Sequence, residues 1–198
     1  GKFELFIDVG EVGPDYQPGH AHADTFSFEL YINGRPVIVD TGTSTYVVNN
    51  TRFYERSTAA HNTVVVCGQN SSQVWAAHRV ARRARVQVFC DEEERIVAVH
   101  DGYKRLGCLH TRKVEKVGKY IRITDEVDRE GTAYLHFMPK ENVVLDGNRL
   151  LGSDYCIEFD GAREIEPFTS MYAPEFNKRE ERRSFRISFD RRLETIIQ

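Results

Sequence analysis

The sequence predicts an all-β protein, an antiparallel β-sandwich built from two large sheets. From about residue 86 onward, short segments rich in branched and aromatic residues recur at intervals of roughly 8 to 12 residues, which is typical of sandwiches and barrels. Turn-forming pairs such as Asp101-Gly102, Gly118-Lys119 and Asp146-Gly147 separate these segments. Amphipathic periodicity longer than about three helical turns is missing, and only residues 68–79 have the composition for one or two turns of helix.

The length and composition predict a single β-sandwich domain over residues 1–198. The chain has 198 residues, of which 40% are hydrophobic, and this is enough for one sizeable core. A net charge of −3 disfavours nucleic-acid binding. The apolar runs are far shorter than the roughly 20 residues of a membrane helix, so we expect no membrane insertion. The sequence opens without Met inside a strand-like segment, which suggests a fragment or a processed protein without its targeting information.

The first elements are a strand, a loop and a hairpin. Residues 1–9 favour a strand, and the Gly- and Pro-rich residues 10–19 favour a loop. Asn33-Gly34 separates FSFELYI from RPVIVD, and this pair suits a two-residue type I′ turn. In that register the residue numbers of two paired positions add up to about 67, so Asp40 lies opposite Ser27 at the open end of the hairpin. Residues 41–60 are polar and predict a surface excursion with little regular structure.

Two histidines enter this hairpin. His20 and His22 are two residues apart, so in an extended segment their side chains point to the same face. Asp40 shares a face with odd-numbered residues of the preceding strand, whereas His22 is even-numbered. The sequence therefore predicts a bulge or bend between Ala23 and Phe26, with Asp24 as the residue that makes it.

A third histidine, His61, begins the β-branched segment TVVVC, which reads as a buried strand. His22, Asp40 and His61 together form a His₂Asp set, which suits Zn²⁺ with a fourth position left for water or substrate. A cupin is the alternative for a His-x-His motif. Cupins, however, need a glutamate about four or five residues after the second histidine, and Glu29 lies seven residues after it.

Two segments resemble the heparinase II/III-type polysaccharide lyases. They are PDYQPGHAHADTFSFELYINGRPVIVDTGTSTY (residues 14–46) and RSTAAHNTVVV (residues 56–66). The resemblance extends over about Val9 to Val86. It implies that this chain is the C-terminal β-sandwich of such an enzyme, that an N-terminal (α/α) toroid belongs to the same protein outside this sequence, and that the active site lies between the two.

The resemblance also implies roles for individual residues. His22, Asp40 and His61 match the zinc ligands of the family, in a mainly structural site, and His20 matches the catalytic histidine. The implied reaction is β-elimination on a uronic-acid-containing polysaccharide, either of the heparin and heparan sulfate type or alginate. The substrate is therefore an anionic polysaccharide, and a periplasmic or secreted location is expected on the resemblance alone.

Three residues of the loop between Asp40 and His61 are further candidates. The family uses tyrosine as a proton donor or acceptor, with the main one in the toroid, and Tyr46 and Tyr54 are candidates for a second catalytic tyrosine. Either could equally be an amphipathic surface residue. Arg56 could bind a substrate carboxylate with two hydrogen bonds. Asn62 follows a proposed ligand and could orient it.

Other features have ordinary interpretations beside functional ones. The arginines of residues 79–85 could attract an anionic polysaccharide or could form a solvated strand face balanced by residues 91–94. Trp75 could stack on a sugar, although packing is the more common role of a single Trp. The remaining histidines, His78, His100, His110 and His136, are expected to be structural, and the four cysteines to be buried free thiols.

The alternative function is a zinc-stabilised carbohydrate-binding or scaffold domain without chemistry of its own. The two hypotheses overlap here, because the isolated chain would lack half of the active-site wall. We therefore expect the isolated chain to have little or no lyase activity.

Overall fold

A computed structural model describes residues 2–198 as a β-rich fold. Its strands are β1 (Phe3–Ile7), β2 (Phe28–Ile32), β3 (Arg35–Ile38), β4 (Val64–Val66), β5 (Val74–Trp75), β6 (Arg79–Val80), β7 (Val86–Glu92), β8 (Arg95–His100), β9 (His110–Val117), β10 (Tyr120–Val127), β11 (Gly131–His136), β12 (Val144–Asp146), β13 (Arg149–Leu151), β14 (Cys156–Tyr172) and β15 (Glu180–Ile197). The helical elements are α1 (Asn50–Glu55) and two 3₁₀ turns, Thr58–Ala60 and Lys104–Leu106.

All strand pairs are antiparallel, and the predicted all-β sandwich is confirmed. A three-stranded sheet has the order β1-β2-β3. A ten-stranded sheet has the order β12-β13-β14-β15-β10-β9-β8-β7, with β11 pairing with both β15 and β4. The start of β15 pairs with β11 and its end with β10, and the register of its pairing with β14 shifts between Asp160 and Glu164. Such irregularities bend a strand, so β14 and β15 link the two parts of this sheet.

The hydrophobic core lies between the small sheet and the large one. Alternate residues of β2, namely Phe28, Leu30 and Ile32, are buried and belong to one cluster with residues of the long strands such as Phe185 and Phe189. This alternation follows from strand geometry, in which successive side chains point to opposite faces. The core therefore fixes the β2–β3 hairpin, and with it the segments that enter and leave the hairpin.

The β2–β3 hairpin keeps the predicted turn but not the predicted register at its open end. Asn33 and Gly34 both have positive φ, 53° and 76°, as a type I′ turn requires. Next to the turn Ile32 pairs with Arg35, but farther along Leu30 pairs with Ile38 instead of Val37. Continued to the open end of the hairpin, this one-residue shift sets Asp40 opposite Phe28, one position away from the predicted Ser27.

The bend predicted between Ala23 and Phe26 is present. The Ser27 amide donates to the Asp24 carbonyl at 2.7 Å, which closes a turn, and Phe26 has a φ of 68°. A positive φ is unusual for a bulky residue and has to be stabilised by its surroundings. The Phe26 amide donates to the Asp8 carbonyl at 3.0 Å, and the ring packs on His100 with centroids 4.8 Å apart.

Three local predictions need correction. The loop after Asp40 contains helix α1, whose N-cap Asn49 accepts a hydrogen bond from the Arg52 amide. Residues 68–79 form the two-residue strand β5 and the tip of a hairpin with β6, instead of a helical turn. Of the four free cysteines only Cys108 is buried, and Cys67 is exposed. Within residues 2–198, no helix is both long and apolar enough to cross a membrane.

Candidate functional site

Three side chains, two from the hairpin entry and one from the end of the 3₁₀ turn Thr58–Ala60, form a group that could hold a metal ion. His22, Asp24 and His61 each offer a ligand atom, and these atoms all lie within 4.8 Å of one another. The rings of His22 and His61 have centroids 5.3 Å apart. The backbone bends at Ala23, whose amide donates to the Arg56 carbonyl at 3.0 Å, and turns again at residues 24–27, and this path brings His22 and Asp24 to His61.

His61 uses one ring nitrogen on Asp40 and leaves the other without a protein partner. Its Nδ1 lies 2.5 Å from Asp40 Oδ2. Its Nε2 is buried and has no hydrogen-bond partner among the described residues. Burial alone would lower the pKa of His61, but the Asp40 carboxylate raises it above the usual value. A proton or a cation on Nε2 is therefore favoured by the charge behind the ring.

Asp40 is ionised in this pairing. Burial would raise its pKa, but the attraction and the hydrogen bond from His61, together with the Gly42 amide, hold the pKa well below the ordinary value. Asp40 thus contacts His61, whereas Asp24 is the carboxylate that joins the two histidines in the close group. The proposed ligand set of His22, Asp40 and His61 stays a prediction, with Asp24 as an additional carboxylate.

His22 is neutral and lies against a buried arginine. Burial, with repulsion from His61 and Arg52, lowers the pKa of His22 to about 3. Arg52 Nη1 lies 3.1 Å from His22 Nε2, and only the arginine can donate in this pair. A cation bound through this nitrogen would have to replace the Arg52 hydrogen bond.

A cavity of about 320 Å³ adjoins these residues. It is lined by the carboxylates of Asp8, Asp24, Glu29 and Asp40. Burial raises the pKa of Asp8, and the charge of Asp24 adds to this effect. The negative charges around the cavity favour a cation over an anion at this place.

The donor set fits Zn²⁺. Two imidazoles and one or two carboxylates are ordinary zinc ligands. Buried polar atoms in proteins generally have a partner. An ion would supply one for the buried Nε2 of His61. The pairing of Asp40 with Nδ1 is the carboxylate–histidine arrangement that orients a metal-binding imidazole.

Arg56 hydrogen-bonds to backbone carbonyls of the fold, whereas the sequence suggested that it binds a substrate carboxylate. The residue is only 1% exposed. Its guanidinium donates to the Ala21 carbonyl at 2.9 Å and to the carbonyls of Trp75 and Ala76 at 3.1 and 3.2 Å. Because these bonds use both ends of the guanidinium, Arg56 fixes the His20–His22 segment against the β5–β6 hairpin.

Two more buried arginines, from strands of the large sheet, hydrogen-bond to the backbone of the site. Arg182 on β15 donates to the carbonyls of Val39 and Asp40 at 3.0 and 3.2 Å. Arg112 on β9 donates to the carbonyls of Phe26 and Asn62, and it pairs with Asp125 through two bonds of 2.8 and 2.9 Å. Each arginine thus positions residues next to one of the candidate ligands.

Asn62 ties the two strands of the hairpin together beside His61. Its side-chain amide donates to the carbonyls of Phe28 and Val39 at 2.9 and 3.2 Å, and its oxygen accepts from the His136 amide at 2.8 Å. The orienting role expected for Asn62 therefore acts through the backbone on both sides of the site.

His20 lies in an exposed aromatic cluster and is not part of the metal group, so the prediction that His20 and His22 address one ligand from the same face is wrong. The rings of His20, Tyr46 and His78 lie near one another, with centroids 5.4 Å apart for His20 and Tyr46 and 5.0 Å for His20 and His78. Phe176 packs on the other side of Tyr46 at 5.3 Å, and the Arg52 guanidinium lies 5.0 Å from the Tyr46 ring centre. All three polar rings face solvent, where they can contact a ligand.

The two candidate tyrosines lie in different environments. Tyr46 is 43% exposed beside His20. Tyr54 is partly buried, and desolvation raises its pKa to about 12. Loss of a proton is therefore harder at Tyr54, and the geometry favours Tyr46 for proton transfer.

The basic segment near residue 83 holds the loop before His20. Arg83 lies 2.5 Å from Asp15, and Arg85 lies 3.0 Å from Glu11. Arg83 also donates to the Val12 and Gly13 carbonyls at 3.2 Å. The charges of these arginines are therefore balanced by Asp15 and Glu11, and not by residues 91–94 as the sequence suggested. Trp75 is 47% exposed, and its carbonyl is fixed by Arg56.

Sequence reasoning missed Asp24 as a candidate ligand and His78 as a member of the exposed cluster. Asp24 carried a signal, because alternation in an extended segment would put it on the same face as His22. His78 carried none, because its contact with His20 depends on the β5–β6 hairpin, which the sequence did not predict.

Comparisons with known proteins identify the family of the chain and its relatives. The family described as "Heparinase II/III-like, C-terminal" matches residues 1–198. A heparin-sulfate lyase of Bacteroides stercoris is 30% identical over 133 residues, which cover 63% of this chain and 19% of that protein. The chain thus spans about a fifth of the length of this curated relative.

Solved structures have the same fold. A crystal structure of heparinase III matches with a TM-score of 0.82 and 22% identity, over 98% of this chain and 33% of that one. A mutant heparan sulfate lyase from Pedobacter heparinus matches with a TM-score of 0.77 and 19% identity, over 98% of this chain and 32% of that one. The match of the family to the whole sequence settles the classification: the chain belongs to the heparinase II/III-like C-terminal domain family.

Proposed function

We propose that this chain is the β-sandwich part of a polysaccharide lyase that cleaves uronic-acid-containing polymers by β-elimination. The observation that carries the proposal is that the two histidines of the His-x-His motif lie in different environments. His22 is neutral and lies against His61 inside the fold, whereas His20 is exposed beside Tyr46. One histidine is thus placed for an ion and the other for a substrate.

In β-elimination a base removes the proton on C5 of the uronic acid, the electron pair forms the C4–C5 double bond, and the glycosidic oxygen leaves C4 and takes up a proton. Fixed donors have to stabilise the charge that develops on the carboxylate. His20 suits that role or the role of base, since an imidazole can donate or accept near neutral pH. Tyr46 lies beside it and can move a proton to or from the sugar.

Zn²⁺ would be held by His22 and His61 with a carboxylate from Asp40 or Asp24. When bound, it would supply a cross-link between the hairpin entry and the segment before β4, which are distant in sequence. The residues of this chain then keep His20 at the surface: Arg56 fixes the backbone on both sides of it, at Gly19 and Ala21.

The substrate class follows from the relatives. One is named a heparin-sulfate lyase and another a heparan sulfate lyase. We infer that heparin or heparan sulfate is the first substrate to test and alginate the second. The same proposal includes a periplasmic or secreted location, which fractionation of the producing cells would test.

The chain spans 19% to 33% of the lengths of these relatives, so the remaining active-site residues are proposed to come from an (α/α) toroid of the same protein. This partial coverage is also the observation that favours the second candidate, a carbohydrate-binding or scaffold domain. The two candidates differ in whether His20 is needed for turnover.

The test is an ultraviolet assay for unsaturated uronate with the full-length protein on heparan sulfate, heparin and alginate. We expect product from at least one polymer, and its loss in His20→Ala with folding and metal content unchanged. Wild-type turnover in His20→Ala would contradict the assignment of His20. Absence of product from every uronic-acid polymer, with retained binding, would favour the scaffold.

A further inference from the structure

We propose that His78 is a second substrate-binding imidazole, which works with His20 to bind an acidic group of the saccharide. The acidic group is a sulfate or a carboxylate. This inference rests on the proposed function and extends it to a residue outside the His-x-His motif.

The first argument is the proximity of the two rings. The centroid of His78 lies 5.0 Å from that of His20 and 5.2 Å from that of Tyr46. Both histidines are exposed, and none of the hydrogen bonds or ion pairs formed among residues 2–198 involves a ring nitrogen of either. Their polar edges are therefore available to a ligand, on the same side as Tyr46.

The second argument is the way the structure holds His78 in place. It follows the tip of the β5–β6 hairpin, where Ala76 has a φ of 49° and Ala77 is buried. Arg56 donates to the Ala76 carbonyl at 3.2 Å, and Arg52 donates to the Ala77 carbonyl at 3.2 Å. Two buried cations thus fix a hairpin that has only two residues in each strand.

The same two arginines also hold the His20–His22 segment. Arg56 donates to the Ala21 carbonyl at 2.9 Å, and Arg52 Nη1 lies 3.1 Å from His22 Nε2. Because each guanidinium contacts both segments, the distance between His20 and His78 is set by buried contacts and not by surface packing. Gly19 contributes, since a Cβ there would lie 3.2 Å from the His78 carbonyl oxygen.

The charge around the cluster favours an anion. Arg52 lies behind Tyr46, and the neighbouring Arg79 is exposed on β6. The carboxylates of the site, including Asp24 and Asp40, line the cavity on the side of the metal group. Imidazole N–H groups beside guanidinium charge suit the oxygens of a sulfate or a carboxylate.

The test is a binding titration with the full-length protein. The probes are a heparan sulfate hexasaccharide and the same hexasaccharide after chemical desulfation. We expect His78→Ala to weaken binding about tenfold, the loss of one hydrogen bond to a charged group, without changing the melting temperature or the metal content. Lys119→Gln, an exposed cation on the β9–β10 turn, is the control and should bind as the wild type does.

The two probes identify the group that His78 binds. A defect seen only with the sulfated probe assigns sulfate, and a defect seen with both assigns the carboxylate. In turnover assays KM should rise about tenfold while kcat stays within about twofold, because an interaction equal in ground and transition states affects binding alone.

An unchanged affinity of His78→Ala for both probes would overturn the inference, and so would a fall in kcat with unchanged KM. Failure of the proposed lyase function gives a different result. In that case the wild type makes no unsaturated product, while the titration of His78→Ala still shows whether this ring binds the saccharide.

Discussion

His61 Nδ1 lies 2.5 Å from Asp40 Oδ2, and the opposite nitrogen of the same ring is buried without a partner in the part of the chain that the structure describes. Such a ring has its orientation fixed on one side and its lone pair or proton exposed to a ligand on the other. This pair is therefore the most informative place to test for an ion.

Asp40→Asn should lower zinc affinity about 10- to 100-fold, because the charge behind the His61 ring is lost. Zinc content and affinity can be measured by competition with a chromophoric chelator. Asp15→Asn is the matched control, since Asp15 is an exposed carboxylate paired with Arg83. Chelation should also lower the melting temperature of the wild type. An unchanged melting temperature after complete metal removal would contradict a stabilising ion.

Arg56→Lys should destabilise the fold and weaken substrate binding together, because a lysine cannot make the forked bonds to the Ala21, Trp75 and Ala76 carbonyls. We expect a loss of several kcal/mol, as for broken buried charge contacts. Urea unfolding measures it. The sequence-based role, binding of a substrate carboxylate, makes a different prediction: a raised KM with normal stability.

The sequence predicted the parts of the site that depend on local geometry. Asn33-Gly34 predicted the turn, and the parity mismatch between His22 and Asp40 indicated the bend at residues 24–27. These features need only strand periodicity and turn chemistry. The His-x-His spacing predicted one shared face for His20 and His22, but the structure separates them, because the backbone turns at residues 19–20 and bends at Ala23. The register shift opposite Leu30 was not predicted, because one extra residue in a strand leaves no compositional signal.

The supporting residues could not be predicted from sequence. Arg112 bonds to the Phe26 carbonyl across 86 positions, and Arg182 bonds to the Asp40 carbonyl across 142. An arginine on a strand usually indicates a solvent-exposed face. Whether it is instead buried and bonded to distant carbonyls depends on how the sheets pack, which the sequence does not show. His78 is similar, since its position depends on the contacts of Arg52 and Arg56 with the tip of the β5–β6 hairpin.

Asp125→Asn should destabilise the protein by about 3 to 5 kcal/mol, because it leaves the buried Arg112 cation without its partner. The same carboxylate also accepts from His110 at 2.7 Å. Asp146→Asn is the control: it breaks an exposed pair with Arg149, and the expected change is below about 1 kcal/mol. Equal effects of the two substitutions on urea unfolding would contradict the structure.

Stability should fall as the pH is lowered from 7 to 5 in the presence of a chelator. Burial lowers the pKa values of His22, His100 and His136 in the folded state, so below about pH 6.5 the unfolded chain binds protons that the folded chain does not. His61 acts in the opposite sense, since its pKa is raised and its contribution is lost as the pH rises. Burial lowers the pKa of His110 as well, so four histidines act in one sense and His61 alone acts in the other.

The slope can be assigned with one variant. The His136 ring hydrogen-bonds with Ser184 and the Ala59 carbonyl, and within residues 2–198 it makes no hydrogen bond to His22 or His61. His136→Gln should flatten the decrease between pH 6 and 5 by up to about 1.4 kcal/mol per pH unit, the contribution of one proton. Urea unfolding at each pH measures this, and an unchanged slope would mean that His136 titrates normally.

Tyr46→Phe and Tyr54→Phe should separate the two candidate tyrosines. Tyr46 is exposed beside His20, so loss of its hydroxyl should lower kcat of the full-length enzyme by about 10²- to 10⁴-fold if it transfers the proton. Tyr54 is partly buried with its pKa raised to about 12 by desolvation, and its hydroxyl has a long contact of 3.5 Å to the Ala59 carbonyl beside Ser170. Tyr54→Phe should therefore keep kcat within about threefold. The reverse pattern, with Tyr54→Phe inactive and Tyr46→Phe active at equal melting temperatures, would move the chemistry from the exposed cluster to the interior of the loop.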